Sequence, residues 1–121
     1  MTRPPPPLHR RTLVMLVGVL MAVSYLALTP TPPKAADLGW DKLNHFSAFG
    51  TLMVLAGRVW PGRWMLGALG LLAYGGLIEL LQTQVPGRAA EWADLLADGI
   101  GILIGLALLA ALRRLSTNRT R

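Results

Sequence analysis

The segment Gly76–Gly101, GLIELLQTQVPGRAAEWADLLADGIG, joins two apolar runs through a short polar turn. Pro86 and Gly87 stand in the middle of that turn and interrupt any helix that would run through it. The segment also carries four of the six acidic residues of the chain, Glu79, Glu91, Asp94 and Asp98. This pattern predicts two antiparallel helices that meet at the turn and carry their carboxylates at the shared end.

The composition points to a membrane protein. The chain has 121 residues, of which 53% are hydrophobic and only 15% are charged, and a soluble domain of this size could not bury so much apolar surface. The absence of cysteine excludes disulfides, a thiolate nucleophile and cysteine-ligated metal centres. The net charge of +6 comes from basic residues at the ends of apolar runs. The expected partner is therefore the lipid bilayer and not nucleic acid.

Four apolar runs are close to the roughly 20 residues that a helix needs to cross a bilayer. The predicted fold is an all-α integral membrane protein, a four-transmembrane-helix bundle with short loops. Its spans are expected at about 12–29, 43–60, 63–82 and 94–112, within a transmembrane domain of residues 12–112. Residues 1–11 and 113–121 are expected to be basic cytoplasmic tails. A cleaved signal peptide is the alternative interpretation of the first run.

The distribution of positive charge predicts the orientation of the bundle. With the N-terminus inside, the inner side receives nine arginines: Arg3, Arg10, Arg11, Arg58, Arg63, Arg113, Arg114, Arg119 and Arg121. The cations left for the outer side are Lys34, Lys42 and Arg88. The termini are therefore predicted to be N-in and C-in, which places the acidic residues on or near the outer side.

Two polar patches lie at the outer ends of the second and third spans. In WDKLNHF, Trp40–Phe46, Asp41 is a predicted helix N-cap, and Lys42 and His45 share one helix face. At the end of the third span, Glu79 shares a face with Gln82 and needs pairing, hydration or protonation. Arg88 is the cation predicted to fold back over Glu79.

The fourth span carries a third patch that continues into a packing face. Asp94, Asp98, Gly101 and Gly105 fall on a single helical stripe, with the carboxylates at the outer end and the glycines further in. Small residues let a neighbouring helix approach closely. Glycines of the third span are a candidate for the other half of that contact: Gly67, Gly70, Gly75 and Gly76.

These three patches are predicted to meet at the outer leaflet and to form one ligand-binding site. Its residues are Lys42, His45, Glu79, Gln82, Arg88, Asp94 and Asp98. His45, Glu79 and Asp94 are the candidates for a catalytic role, although the sequence does not establish an enzyme. The spacing specifies no metal, and no cofactor is expected. The alternative is a structural network of ion pairs that fixes helix register.

The order of these blocks resembles the VanZ-like family of small bacterial membrane proteins. The resemblance rests on three blocks, DKLNHF, ELLQ and PGRAAEWADLLADGIGILIG, and covers about Asp41 to Gly105. Glu91 and Asp98 depart from the commonest pattern, where serine and asparagine are frequent, and both make the patch more acidic. The resemblance implies a protein of the cell envelope in the bacterial cytoplasmic (inner) membrane. It also implies a link to resistance to the glycopeptide antibiotic teicoplanin.

Three classes of function follow. The first is binding of an envelope lipid or lipid-linked intermediate, with Lys42 and Arg88 holding an anion. The second is an enzyme acting on such a lipid through a carboxylate–histidine pair. The third is a non-catalytic structural or accessory protein whose polar patch locks the helices or docks a partner. A transporter is disfavoured because no inverted repeat is evident, and the oligomeric state is not indicated.

Overall fold

The protein is described by a computed structural model covering residues 7–119, without the side chains of Pro7 and Ala36. Within this range the chain forms four α-helices and no β-strand. They are α1 (Pro7–Leu28), α2 (Asp41–Val59), α3 (Trp64–Gln82) and α4 (Trp92–Arg119), and a 3₁₀ turn, Lys34–Ala36, lies between α1 and α2. Consecutive helices pack against each other. The predicted all-α fold with four helices is confirmed.

Three of the described helices, α1, α3 and α4, are long and apolar enough to cross a membrane. Helix α2 is less apolar than these three helices, because its first two turns carry the polar residues Lys42, Asn44 and His45. It is nevertheless the centre of the bundle, and its Leu52 and Met53 are fully buried. The other three helices surround α2 and carry many exposed apolar side chains, as expected for surfaces that face lipid.

The closest helix pair is α2 with α4, and glycines make that approach possible. A Cβ atom built on Gly105 would lie 2.6 Å from Met53 Cβ and 2.8 Å from the Gly50 carbonyl oxygen. One built on Gly101 would lie 2.9 Å from the Phe46 carbonyl oxygen. The glycine stripe of α4 is therefore a packing face, but its partner is α2.

The suggestion that α3 supplies the other half of the glycine contact is wrong for most of its glycines. Cβ atoms on Gly70 and Gly76 would meet no atom of the described residues within 4 Å. Gly67 faces Met53 and Ala56 of α2 at ordinary contact distance. Gly75 is the exception, because it lies against Asp98 of α4.

Two helices are longer than the predicted spans. Helix α1 is already helical at the first described residue, Pro7, before the expected start of the first span near residue 12. Helix α4 continues to Arg119, past the expected end of the fourth span near residue 112. Arg3 and Arg121, in the two predicted tails, lie outside the described residues.

The entry to α2 also differs from the prediction. Asp41 is the first helical residue, and the N-cap is Trp40, which makes no side-chain cap hydrogen bond. Asp37 organises the preceding loop, because its Oδ1 accepts hydrogen bonds from Gly39 N and Asn44 Nδ2 at 2.9 and 3.0 Å. These hydrogen bonds, that from Asn44 foremost, lower the pKa of the Asp37 carboxyl below its ordinary value.

Helix α1 is an integral part of the bundle. Its Leu16 is buried in the common core, and Ser24 Oγ lies 2.5 Å from the Tyr74 hydroxyl of α3. By length and composition the same helix could cross a membrane. An apolar cleft of about 450 Å³ lies between α1, α2 and α3, with Leu16, Ala56 and Gly70 among its lining residues.

Candidate functional site

The start of α2, the end of α3 and the start of α4 lie together at one end of the bundle. Their polar side chains form a cluster that we call the polar cluster: Lys42, His45, Glu79, Gln82, Asp94 and Asp98. Four of its members are less than a tenth exposed, namely Glu79, Gln82, Asp94 and Asp98. So much buried polarity in a bundle with an apolar surface marks the strongest candidate for a site in the described part of the chain.

Lys42 is enclosed by carboxylates. Its Nζ pairs closely with Asp94 Oδ1, and it lies 3.2 Å from Glu91 Oε2 and 3.4 Å from Asp41 Oδ2. Asp94 is buried, whereas Asp41 and Glu91 are exposed at the rim. Because Lys42 already has three anionic partners, it has little positive charge to offer a further anion.

His45 is held by a buried carboxylate. Its Nδ1 lies 2.6 Å from Oδ1 of Asp98, which is 1% exposed. Its Nε2 lies 3.7 Å from Asp94 Oδ2, which is beyond hydrogen-bond distance. Gly75 of α3 makes room for this pair, since a Cβ there would lie 2.6 Å from Asp98 Oδ2. The imidazole is therefore oriented through one nitrogen while the other faces a second carboxylate.

Glu79 is only half satisfied. Its Oε2 accepts a hydrogen bond from the backbone N–H of Glu91 at 3.0 Å, just before α4 begins. Its Oε1 is buried and has no hydrogen-bond partner among the described residues. Gln82, one turn further, donates from Nε2 to the Ala27 carbonyl of α1 at 2.9 Å, and its Oε1 is likewise buried without a partner there.

Arg88 was predicted to belong to the polar cluster, but it binds elsewhere. Its Nε donates to the Thr29 carbonyl at 2.9 Å, and its Nη2 donates to the Leu26 carbonyl. The last carbonyls of a helix have no partner within the helix and favour a cation near them. Arg88 therefore caps the C-terminus of α1, and the expectation that it covers Glu79 is wrong.

Two overlapping sets of three side chains have the composition of a metal-binding site. One is Asp41, His45 and Asp94, and the other is His45, Glu79 and Asp98. In each set, one ligand atom per residue lies within 4.8 Å of the other two. Lys42 already neutralises the carboxylates of the first set, whereas no lysine or arginine of the described residues pairs with Glu79 or Asp98.

The sequence prediction missed three contributors to this region. Glu91 and Asp41 bind Lys42, and a signal for Glu91 was available because it shares a helical face with Asp94 and Asp98. The third is Gly75, which the sequence assigned to general helix packing. Its contact with the Asp98 carboxylate is set by the fold and could not be inferred from the sequence.

The described chain is a small, all-helical membrane protein whose polar cluster lies at one end of the bundle. A family model described as VanZ/LLP1 matches residues 8–113, which is most of the chain, and the protein belongs to this family. The match confirms the resemblance seen in the sequence. No solved structure matches the chain.

Proposed function

We propose that the protein binds or modifies an envelope lipid or lipid-linked intermediate, whose polar headgroup enters the polar cluster from the membrane interface. The observation that carries this proposal is the contact between His45 and Asp98. His45 Nδ1 lies 2.6 Å from Asp98 Oδ1, and Asp98 is almost fully buried. A histidine that is oriented by one carboxylate and lies beside others is an arrangement suited to general acid–base catalysis.

The geometry favours proton transfer over direct capture of an anion. With Nδ1–H donated to Asp98, the Nε2 atom of His45 is left as the acceptor and faces Asp94. The two cations first considered for a phosphate are engaged elsewhere, Lys42 by carboxylates and Arg88 by carbonyl groups of the α1 end. In this proposal His45 takes or gives the proton, Asp98 orients it, and Glu79 and Asp94 contact the headgroup.

Our proposal for the orientation places the polar cluster at the outer side of the cytoplasmic membrane, with both termini inside and α2 crossing with the other helices. The support is the position of the arginines, because Arg58 and Arg63 lie at the other end of α2 and α3, and Arg113 follows along α4. As a member of the VanZ/LLP1 family, the protein is further proposed to alter susceptibility to teicoplanin-type antibiotics.

The test compares lipids that co-purify with the protein. Wild type, His45→Gln and Asp98→Asn are purified in mild detergent and their lipids are identified by mass spectrometry. His9→Gln is the matched control. His9 lies near the N-terminal end of α1, about 30 Å along the helix axis from the C-terminal end, which is the end beside the polar cluster. We expect one lipid class to be enriched in wild type and His9→Gln, and to be depleted or chemically altered in the two site variants.

Equal lipid profiles in all four proteins would overturn the proposal. A parallel measurement of teicoplanin susceptibility in cells expressing each variant tests the link to the antibiotic. We expect the site variants to match cells without the protein and His9→Gln to match wild type.

A second candidate is a structural or accessory role, and the interhelical contacts favour it. Lys42 joins α2 to Asp94 of α4, and Gln82 and Arg88 bind carbonyl groups at the end of α1. If the cluster only locks the helices, the exchanged pair Lys42→Asp with Asp94→Lys should retain function. Loss of the phenotype in an exchanged protein that remains folded would reject the purely structural role.

A further inference from the structure

We infer that His45, Glu79 and Asp98 form a binding site for a divalent transition-metal ion such as Zn²⁺ or Mn²⁺. The three residues come from α2, α3 and α4, and one ligand atom of each lies within 4.8 Å of the others. An imidazole with two carboxylates is a common ligand set for these metals, whereas Mg²⁺ and Ca²⁺ prefer oxygen ligands alone.

The state of Glu79 is independent support for a ligand. Its side chain is 8% exposed, and Oε1 has no hydrogen-bond partner in the described part of the chain. A buried carboxylate oxygen without a partner carries an unfavourable desolvation energy, which a bound cation would offset. The neighbouring hydrogen bond from Glu91 N to Glu79 Oε2 already fixes the orientation of the carboxylate.

The local charge points to a cation as well. Lys42 balances Asp94, but Glu79 and Asp98 are left with a single imidazole between them. The arginine nearest in sequence, Arg88, is bound to the C-terminal carbonyls of α1 and does not neutralise them. A further positive charge would therefore stabilise the two buried carboxylates, which share one histidine.

The distances permit a metal after a small adjustment. With metal–ligand bonds of about 2.1 Å, the ligand atoms of a tetrahedral site lie about 3.4 Å apart. His45 Nδ1 and Asp98 Oδ1 are now 2.6 Å apart. Binding of a cation between them in place of the proton therefore requires this distance to increase by less than about 1 Å. Three protein ligands would leave a fourth position open, as in catalytic zinc sites.

The experiment measures metal binding by isothermal titration calorimetry, with apo protein in detergent and without added lipid. Zn²⁺ and Mn²⁺ are the probes, and Mg²⁺ and Ca²⁺ serve for comparison. We expect wild type to bind one equivalent of Zn²⁺ or Mn²⁺ and Glu79→Gln to bind at least about 100-fold more weakly. Glu91→Gln is the matched control, because it makes the same chemical change at an exposed carboxylate of the rim, and it should bind as wild type does.

Two further measurements keep the inference testable if Glu79→Gln does not fold. The melting temperature of wild type and Glu91→Gln should rise with Zn²⁺ or Mn²⁺, because a ligand that binds only the folded state stabilises it. His45→Gln, with His9→Gln as its control, should lose this rise. Absence of binding by wild type, or equal binding by Glu79→Gln, overturns the metal site.

The metal site does not rest on the proposed lipid function, and the two can fail separately. A wild-type protein that binds no metal but enriches a lipid through His45 would remove the metal site alone. Metal binding with identical lipid profiles in all variants would remove the lipid function alone. Where both hold, His45 is a metal ligand and not the proton carrier, and the bound cation supplies the positive charge for a lipid phosphate that Lys42 and Arg88 do not provide.

Discussion

Replacement of Gly105 by alanine tests the packing of α2 against α4. The new Cβ would lie 2.6 Å from Met53 Cβ and 2.8 Å from the Gly50 carbonyl oxygen, where carbon atoms in contact are normally about 3.5–4.0 Å apart. Neither neighbour can rotate away, because one is a backbone atom and the other is bonded directly to the backbone. The two helices must therefore separate by about 1 Å at this point.

The expected effect is the difference between two opposing changes. Overpacking of a tight contact costs about 1–3 kcal/mol, while replacing a helical glycine by alanine gains about 0.5–1 kcal/mol. The net result is a loss of about 1 kcal/mol in the free energy of unfolding, which is a substantial fraction of the stability of a small domain.

Reversible unfolding in mixed micelles, followed by circular dichroism, measures this loss. Gly76→Ala is the matched control, because a Cβ at Gly76 meets no described atom within 4 Å. Only the gain in helix propensity applies to it, so its stability should equal or exceed that of wild type. A Gly105→Ala protein as stable as Gly76→Ala would refute the close contact between α2 and α4.

Two further predictions concern the ends of α1 and α2. Arg88→Ala should lower the free energy of unfolding by about 2–3 kcal/mol, because hydrogen bonds to charged groups are strong, and should speed amide exchange in the last turn of α1. Arg58→Ala is the control, because Arg58 is exposed. Unchanged amide exchange in Arg88→Ala would contradict the capping role. The pKa of Asp37 is lowered in the folded state, so its contribution to loop stability is complete above its ordinary pKa and is lost as the pH falls through the lowered value. NMR titration of the carboxyl should give a midpoint that rises in Asn44→Ala, and an unshifted midpoint would remove Asn44 as the cause.

The helices could be predicted because their signals are local. Apolar runs of bilayer length, broken by Pro86 with Gly87 and by Pro61 with Gly62, determine where the helices lie and which ends meet. The meeting of Lys42, His45, Glu79 and Asp94 follows from antiparallel neighbours. The role of these residues in function stays a proposal.

The partners within the site could not be predicted in the same way. Arg88 was matched to Glu79 because they are opposite charges close in sequence, yet the unpaired carbonyls of α1 bind it instead. Those acceptors belong to the backbone and leave no mark in the sequence. The glycine stripe of α4 likewise indicates close approach without saying which helix approaches.

The set of His45, Glu79 and Asp98 is hidden for a related reason. Its members are separated by more than thirty and by nineteen positions in the chain and stand on three helices. Metal-binding motifs are recognised in a sequence when two ligands share one helix or turn. Here the fold alone brings the ligand atoms together.

The attachment of α1 is uneven along its length. Among the described residues, its hydrogen bonds to other segments involve positions from Leu20 to Thr29, through Tyr74, Gln82 and Arg88. In the half before Leu20, the residues packed in or against the core are the apolar Leu16 and Val19. In a bilayer, lipid tails compete for such contacts on nearly equal terms. The apolar cleft lies beside this half, at Leu16 and Leu20. We therefore expect a lipid chain from the bilayer to enter the bundle most readily between the N-terminal half of α1 and α3, where the apolar cleft lies.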